Sequence, residues 1–170
     1  MVVLAMVLLS GGLVHAESML ERLVLMSGSE WVAGRWVAET DDGETATLVY
    51  CWELDKNMIS VRFEMHDYSY KGMIYCLPYN ETVTEVGVDN KGSVSRCQWD
   101  ADYYGATSHR QVNRVDGQTE SMVIVSAETG KDAMKMEVYG DDYGSLSSKP
   151  WATLNFKRQT LKGQDADQQQ

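Results

Sequence analysis

A chain of 170 residues has room for one ordinary domain and not comfortably for two, and it can bury roughly two-thirds of the surface that its extended form exposes. Its 25 acidic against 15 basic side chains give a net charge of -10, and with no basic run to offset it this charge argues against nucleic-acid or anionic-membrane partners. Five Trp and nine Tyr are too many for a chain kept unfolded by its own charge, so a folded domain is expected.

Residues Met1 to Ala16 carry no charged side chain apart from His15, and their apolar run from Val2 to Leu9 ends at Ser10-Gly11-Gly12. Val14-His15-Ala16 places modest side chains at the positions a signal peptidase reads, so residues 1–16 are predicted to be a signal peptide. The mature chain is then exported, periplasmic or extracellular. The usual basic start is missing, and a buried N-terminal segment is the competing reading. The run is too short for the about 20 residues that cross a bilayer, so no membrane insertion of the mature chain is expected.

Leu20, Leu23 and Val24, with Glu21 and Arg22 between them, predict a short helix within Glu17–Met26. Behind it, Gly34-Arg35-Trp36 enters a strand that ends at the turn Asp41-Asp42-Gly43. Strand signals follow in series: Thr45–Trp52, Asn57–His66, Gly72–Tyr79, Thr82–Val88, Ser93–Trp99, Ser108–Val115, Thr119–Ala127, Ala133–Tyr139 and Trp151–Arg158. Short polar or glycine-bearing turns separate them, and no stretch has the amphipathic length of a crossover helix between parallel strands. The expected fold is all-β: a closed antiparallel barrel of eight to ten strands over residues 17–159, with a sandwich as the alternative. Residues 160–170 lack anchoring side chains and are expected to be a disordered tail.

Cys51, Cys76 and Cys97 are odd in number and show no CxxC spacing. They read as buried small hydrophobes, with one disulfide as the alternative.

Gly34-Arg35-Trp36, the turn Trp52-Glu53-Leu54-Asp55 and the closing Leu154-Asn155-Phe156-Lys157-Arg158 together resemble the lipocalin-like part of the calycin superfamily, particularly small bacterial lipocalin-like proteins of unknown function. The resemblance spans most of the mature chain, while the stretch from Asp141 to Pro150 departs from a minimal eight-stranded pattern. It implies that Trp36 packs across the closed bottom of the barrel beside a basic residue of the last strand, Arg158 or Lys157. It also implies functions that include carriage of small apolar molecules and, in other members, haem binding or isomerase and decarboxylase chemistry.

The strand Asn57–His66 has two unlike faces: Ile59, Val61, Phe63 and Met65 on one, Arg62, Glu64 and His66 on the other. An inward apolar face predicts noncovalent binding of a small apolar or aromatic ligand. Its expected lining is Met73, Tyr75, Met134 and Met136, with Trp52 and Phe63 added. An inward charged face would instead suit a small-molecule isomerase or lyase, with His66 exchanging a proton, Glu64 orienting it and Arg62 holding an anionic group. A filled barrel is the bland alternative. A structural or protein-interaction module is a third reading, using the Tyr-rich loops Trp99–Ala106 and Tyr139–Gly144. No motif calls for a cofactor. The acidic pairs lack calcium-loop spacing and read as turns, so no metal is expected.

Overall fold

The computed structural model describes residues 17–159 except 41, 103, 143 and 144. The signal peptide and the C-terminal tail expected above lie outside the described residues. Helix α1 is Met19–Met26; Ser18 caps it by accepting a 3.0 Å bond from the Glu21 amide, which is why it begins two residues later than the apolar pattern alone suggests. The Ser18 hydroxyl also donates to the Lys56 carbonyl and ties the helix to the barrel wall. A 3-10 turn, Glu30–Val32, then leads into the sheet.

The strands are β1 (Gly34–Glu39), β2 (Thr45–Glu53), β3 (Met58–Met65), β4 (Tyr68–Leu77), β5 (Thr82–Asp89), β6 (Val94–Asp102), β7 (Gly105–Asn113), β8 (Thr119–Gly130), β9 (Ala133–Asp142), β10 (Ser145–Leu146) and β11 (Ala152–Arg158). Each of the first nine pairs antiparallel with its successor, β9 also pairs with β11, and β11 pairs with β1. Ten strands thereby close into a barrel, as the serial hairpins predict. The two-residue β10 pairs with the end of β9 alone, so part of the long connection before the last strand folds back as a short extra ribbon. The expected helix and nine of the strands lie where the sequence places them, to within a few residues.

One boundary matters more than the others. The sequence reads Asp67 to Lys71 as a connection, but β4 begins at Tyr68 because His66 and Asp67 form a two-residue turn, with His66 at φ 51°. The earlier start carries Tyr70 into the interior.

Side-chain alternation sends Trp36 and Ala38, then Ala46, Leu48 and Tyr50, then Ile59 and Val61 inward, where they meet Met134, Met136 and Phe156 in one apolar core. Trp36 is almost fully buried, its indole donates to the Val32 carbonyl at 2.9 Å, and it stands directly opposite Arg158 in the β1–β11 pairing. The Arg158 guanidinium lies over the Trp36 ring at 4.2 Å and donates to the carbonyls of Trp31 and Ala33 at 2.6 and 2.5 Å; a further bond reaches Asp132 at 3.1 Å. Lys157 sits one residue out of phase and is exposed. Gly34 has φ 136°, and a Cβ there would fall 2.3 Å from the Arg158 guanidinium, so the glycine of the Gly-x-Trp motif is required by its backbone and by its neighbour.

Replacing Arg158 with Ala removes three charge-assisted contacts and the cation-π contact together. It should cost about 2–4 kcal/mol of unfolding free energy in urea titrations. Arg158→Lys should recover only part of the loss, since an ammonium cannot span both carbonyls with a planar fork.

Candidate functional site

Inside the barrel the wall is chemically divided. Strands β1–β4, β9 and β11 face inward mostly with apolar groups, whereas β5, β6 and β7 send in Glu85, then Ser95, then Ser108 and Arg110, with Ser93 just ahead of β6. Register explains how these meet. Glu85 stands opposite Cys97, and Cys97 stands opposite Arg110, so two long charged side chains flank one small residue at the same height. Two strand spacings, about 9–10 Å, are bridged above Cys97. Arg110 donates to Glu85 at 2.9 Å and to the Ser95 hydroxyl at 3.3 Å.

Tyr70 completes the arrangement from β4. Its hydroxyl donates to Glu85 at 2.6 Å and accepts from Ser95 at 3.1 Å, while its ring lies 4.9 Å under the Arg110 guanidinium. Gly72 and Gly87 face each other across β4 and β5, and a Cβ on Gly87 would come within 2.1 Å of the Tyr70 hydroxyl. The missing side chains make the space in which the phenol lies. Trp99 Nε1 donates to the second Glu85 oxygen at 2.9 Å, giving a carboxylate with no solvent exposure three donors. Such a group is tolerated inside a protein only when it is paired and hydrogen-bonded in this way.

Burial works against the charge on Arg110, but the Glu85 carboxylate outweighs it and raises the guanidinium further above its ordinary range. Burial, reinforced by Glu85, pushes the Tyr50 and Tyr70 phenols well above 10.0. The same two causes push the Cys97 thiol up to about 12. All three cysteines are free thiols.

A cavity of ≈ 200 Å³ lies against this cluster and extends toward the barrel end opposite α1, where Tyr68 and Asp89 line it. Its wall is mainly apolar and includes Leu48, Phe63, Val112, Met122, Ile124 and Met136. A second cavity, also ≈ 200 Å³, lies between α1 and the barrel and is lined by Leu20, Leu23, Val24, Ile59 and Ile74. Tyr50 and Trp99 border both cavities and form the partition.

Of the lining residues expected from sequence, Phe63 and Met136 are on the wall of the first cavity. Met134 is buried in the apolar core and Trp52 packs against it, but neither borders either of these two cavities. Met73 and Tyr75 require correction, since they occupy the outer face of β4 and Met73 is 48% exposed. Both faces of β4 carry apolar groups, so its alternation is ambiguous; pairing of Ile59 with Ile74 fixes the even-numbered residues as the inner set. Arg62 and Glu64 are exposed on the outer face of β3, and His66 lies in the β3–β4 turn, bonded to Glu44 at 2.9 Å. The charged face that the isomerase or lyase reading needs inside the barrel is therefore outside it. The two Tyr-rich loops lie at opposite barrel ends, one at the β6–β7 turn and the other at the β9–β11 connection.

The residues missed by sequence reasoning are Tyr70, Glu85, Ser95, Trp99 and Arg110. A signal existed in the alternation Val83, Glu85, Gly87 and Ala106, Ser108, Arg110, each a run of mostly small residues holding one charge. It was masked on β5, where Val86 and Val88 make the outward face the more apolar one. Among the described residues, no three His, Cys, Asp or Glu side chains converge to hold a metal. No known family model and no curated protein matches this sequence.

Two measurements test the cluster. Glu85→Ala leaves Arg110 buried without its counter-charge and should cost about 3–5 kcal/mol. Glu85→Leu combined with Arg110→Met should be less destabilised than that single variant in the same denaturant titration. The second concerns pH. An unfolded thiol ionises near 9.0, whereas folded Cys97 holds its proton to about 12, so between those values the folded state binds more protons. The thiol's stability contribution is full below about 9 and is lost as pH rises toward 12. The unfolding free energy should fall more steeply with pH in the wild type than in Cys97→Ala, by up to about 1.4 kcal/mol per pH unit.

Proposed function

We propose that this protein is an exported, lipocalin-like binder that holds one small apolar or aromatic molecule noncovalently inside its barrel. The observation that carries the reading is the ≈ 200 Å³ cavity beside the Glu85–Arg110 cluster, with an apolar wall and few polar groups. Its room compares with an apolar cavity of about 150 Å³ that holds benzene. A ligand of roughly single-ring size therefore fits, and a longer one can project past Tyr68. Membership of the lipocalin-like group draws support from Trp36 beneath Arg158, the contact which the Gly-x-Trp resemblance implies. Export rests on the apolar leader of residues 1–16.

The test is native mass spectrometry of gently purified protein, solvent extraction of what it carries, and titration with the uncharged dye N-phenyl-1-naphthylamine. One dye per chain should bind, and Val112→Trp, which fills the cavity wall, should weaken binding at least about ten-fold while circular dichroism stays native. No bound molecule, and no uptake across a broad hydrophobic panel, rejects the reading.

A further inference from the structure

We propose, resting on that reading, that the cavity selects an uncharged ligand with a hydrogen-bond-accepting oxygen, such as an ester, ketone or ether, and discriminates against carboxylates and amines of the same shape. Among the described residues, the charged side chains lining the cavity are Arg110 and Asp89. Arg110 offers a cation in an apolar setting, which by itself would invite an acid. Its charge is already matched. Glu85 sits behind it with no exposure and receives Arg110, Tyr70 and Trp99 at 2.9, 2.6 and 2.9 Å.

A ligand carboxylate placed at Arg110 would therefore meet one cation flanked by the Glu85 carboxylate on one side and Asp89 along the wall. It would also give up its hydration on entering an apolar space, a cost that only an uncompensated partner charge could offset. Asp89 cannot turn away freely, since its carboxylate accepts the amides of Lys91 and Ser93 at 2.9 and 2.8 Å. An ammonium fares no better at the floor of the cavity, where it would face the Arg110 guanidinium; its one opposite charge on the wall, Asp89, lies away at the end with Tyr68 and already accepts two backbone amides.

What the floor does supply is a donor. Arg110 is on the cavity wall with part of its side chain exposed, and its guanidinium has N–H groups beyond the two it gives to Glu85 and Ser95. A neutral acceptor oxygen brought in on an apolar body can take one of them without adding charge. The apolar body then rests among Phe63, Met122 and Ile124 on the cavity wall.

Three probes of one shape test the inference: methyl 3-phenylpropanoate, 3-phenylpropanoate and 3-phenylpropylamine, each titrated at neutral pH by calorimetry and by displacement of N-phenyl-1-naphthylamine. The ester should bind at least about ten-fold more tightly than either charged probe, a gap of about 1.4 kcal/mol or more. In Glu85→Gln, which leaves Arg110 without its counter-charge, the acid should gain at least about ten-fold relative to the ester. Should that variant fail to fold by circular dichroism, the wild-type ranking decides alone. An acid or amine that binds the wild type as tightly as the ester overturns the proposal, as does a folded Glu85→Gln with the wild-type ranking unchanged. If the dye binds and none of the three probes does, the selectivity is wrong and the binding function stands; if neither these nor any member of the broader hydrophobic panel binds, both fall.

Discussion

A sheet of ten strands has two open edges, and what this protein encloses depends on their being joined. β11 makes the join by pairing with β9 on one side and β1 on the other. The seam is held beyond its ladder bonds: Arg158 covers the Trp36 indole and ties the carbonyls of Trp31 and Ala33 to the end of the last strand. The same contact plugs one barrel end, with α1 and the 3-10 turn around it, so the accessible interior is displaced toward the other. Closure also removes the unpaired strand edges through which a flat sheet of this size would associate with copies of itself.

Within the closed wall, the interior is apolar on one side and polar on the other, and the polar side is built at a cost. A buried ion pair is seldom worth more than well-packed hydrophobes of the same volume. Glu85 and Arg110 are accommodated because register places them at one height, because Cys97 between them is small, and because Gly72 and Gly87 leave room for the Tyr70 phenol. The cluster fixes the position of a single charged donor in a mostly greasy cavity. The selectivity by head group proposed above rests on that combination.

The fold was largely legible in the sequence, and the site was only partly so. Alternation on β2 and β3, the turn residues and the missing crossover helices were enough to give an antiparallel barrel, since each depends on neighbours in the chain. Gly34, Trp36 and Arg158 were legible as a set because the motif and the last strand each carry a local signature. β4 was not, because Met73 and Tyr75 on one face and Tyr70 and Ile74 on the other are equally suited to a core, and only the pairing with β3 chooses between them. Glu85 and Arg110 were missed for a different reason. They lie 25 residues apart on strands that are not adjacent, so their meeting depends on the register of two hairpins together. Binary patterning also penalises a charge that faces inward, and a charge inside a barrel wall is what patterning reads as surface.

The order of the strands has a consequence for how the chain assembles. Pairing from β1 through β9 is between sequence neighbours, so each hairpin can form as soon as its own turn does, with little chain entropy to overcome. The seam is different: the Arg158 bond to Ala33 joins groups 125 residues apart, and it has nothing to grip until the meander between them has curled. Barrel closure is the non-local step, the one with the largest loop-closure entropy to meet, and a ribbon still unclosed has two bare edges. For a chain of this design the residues at the seam govern not only how firmly the native barrel is held but how long its most adhesive precursor survives.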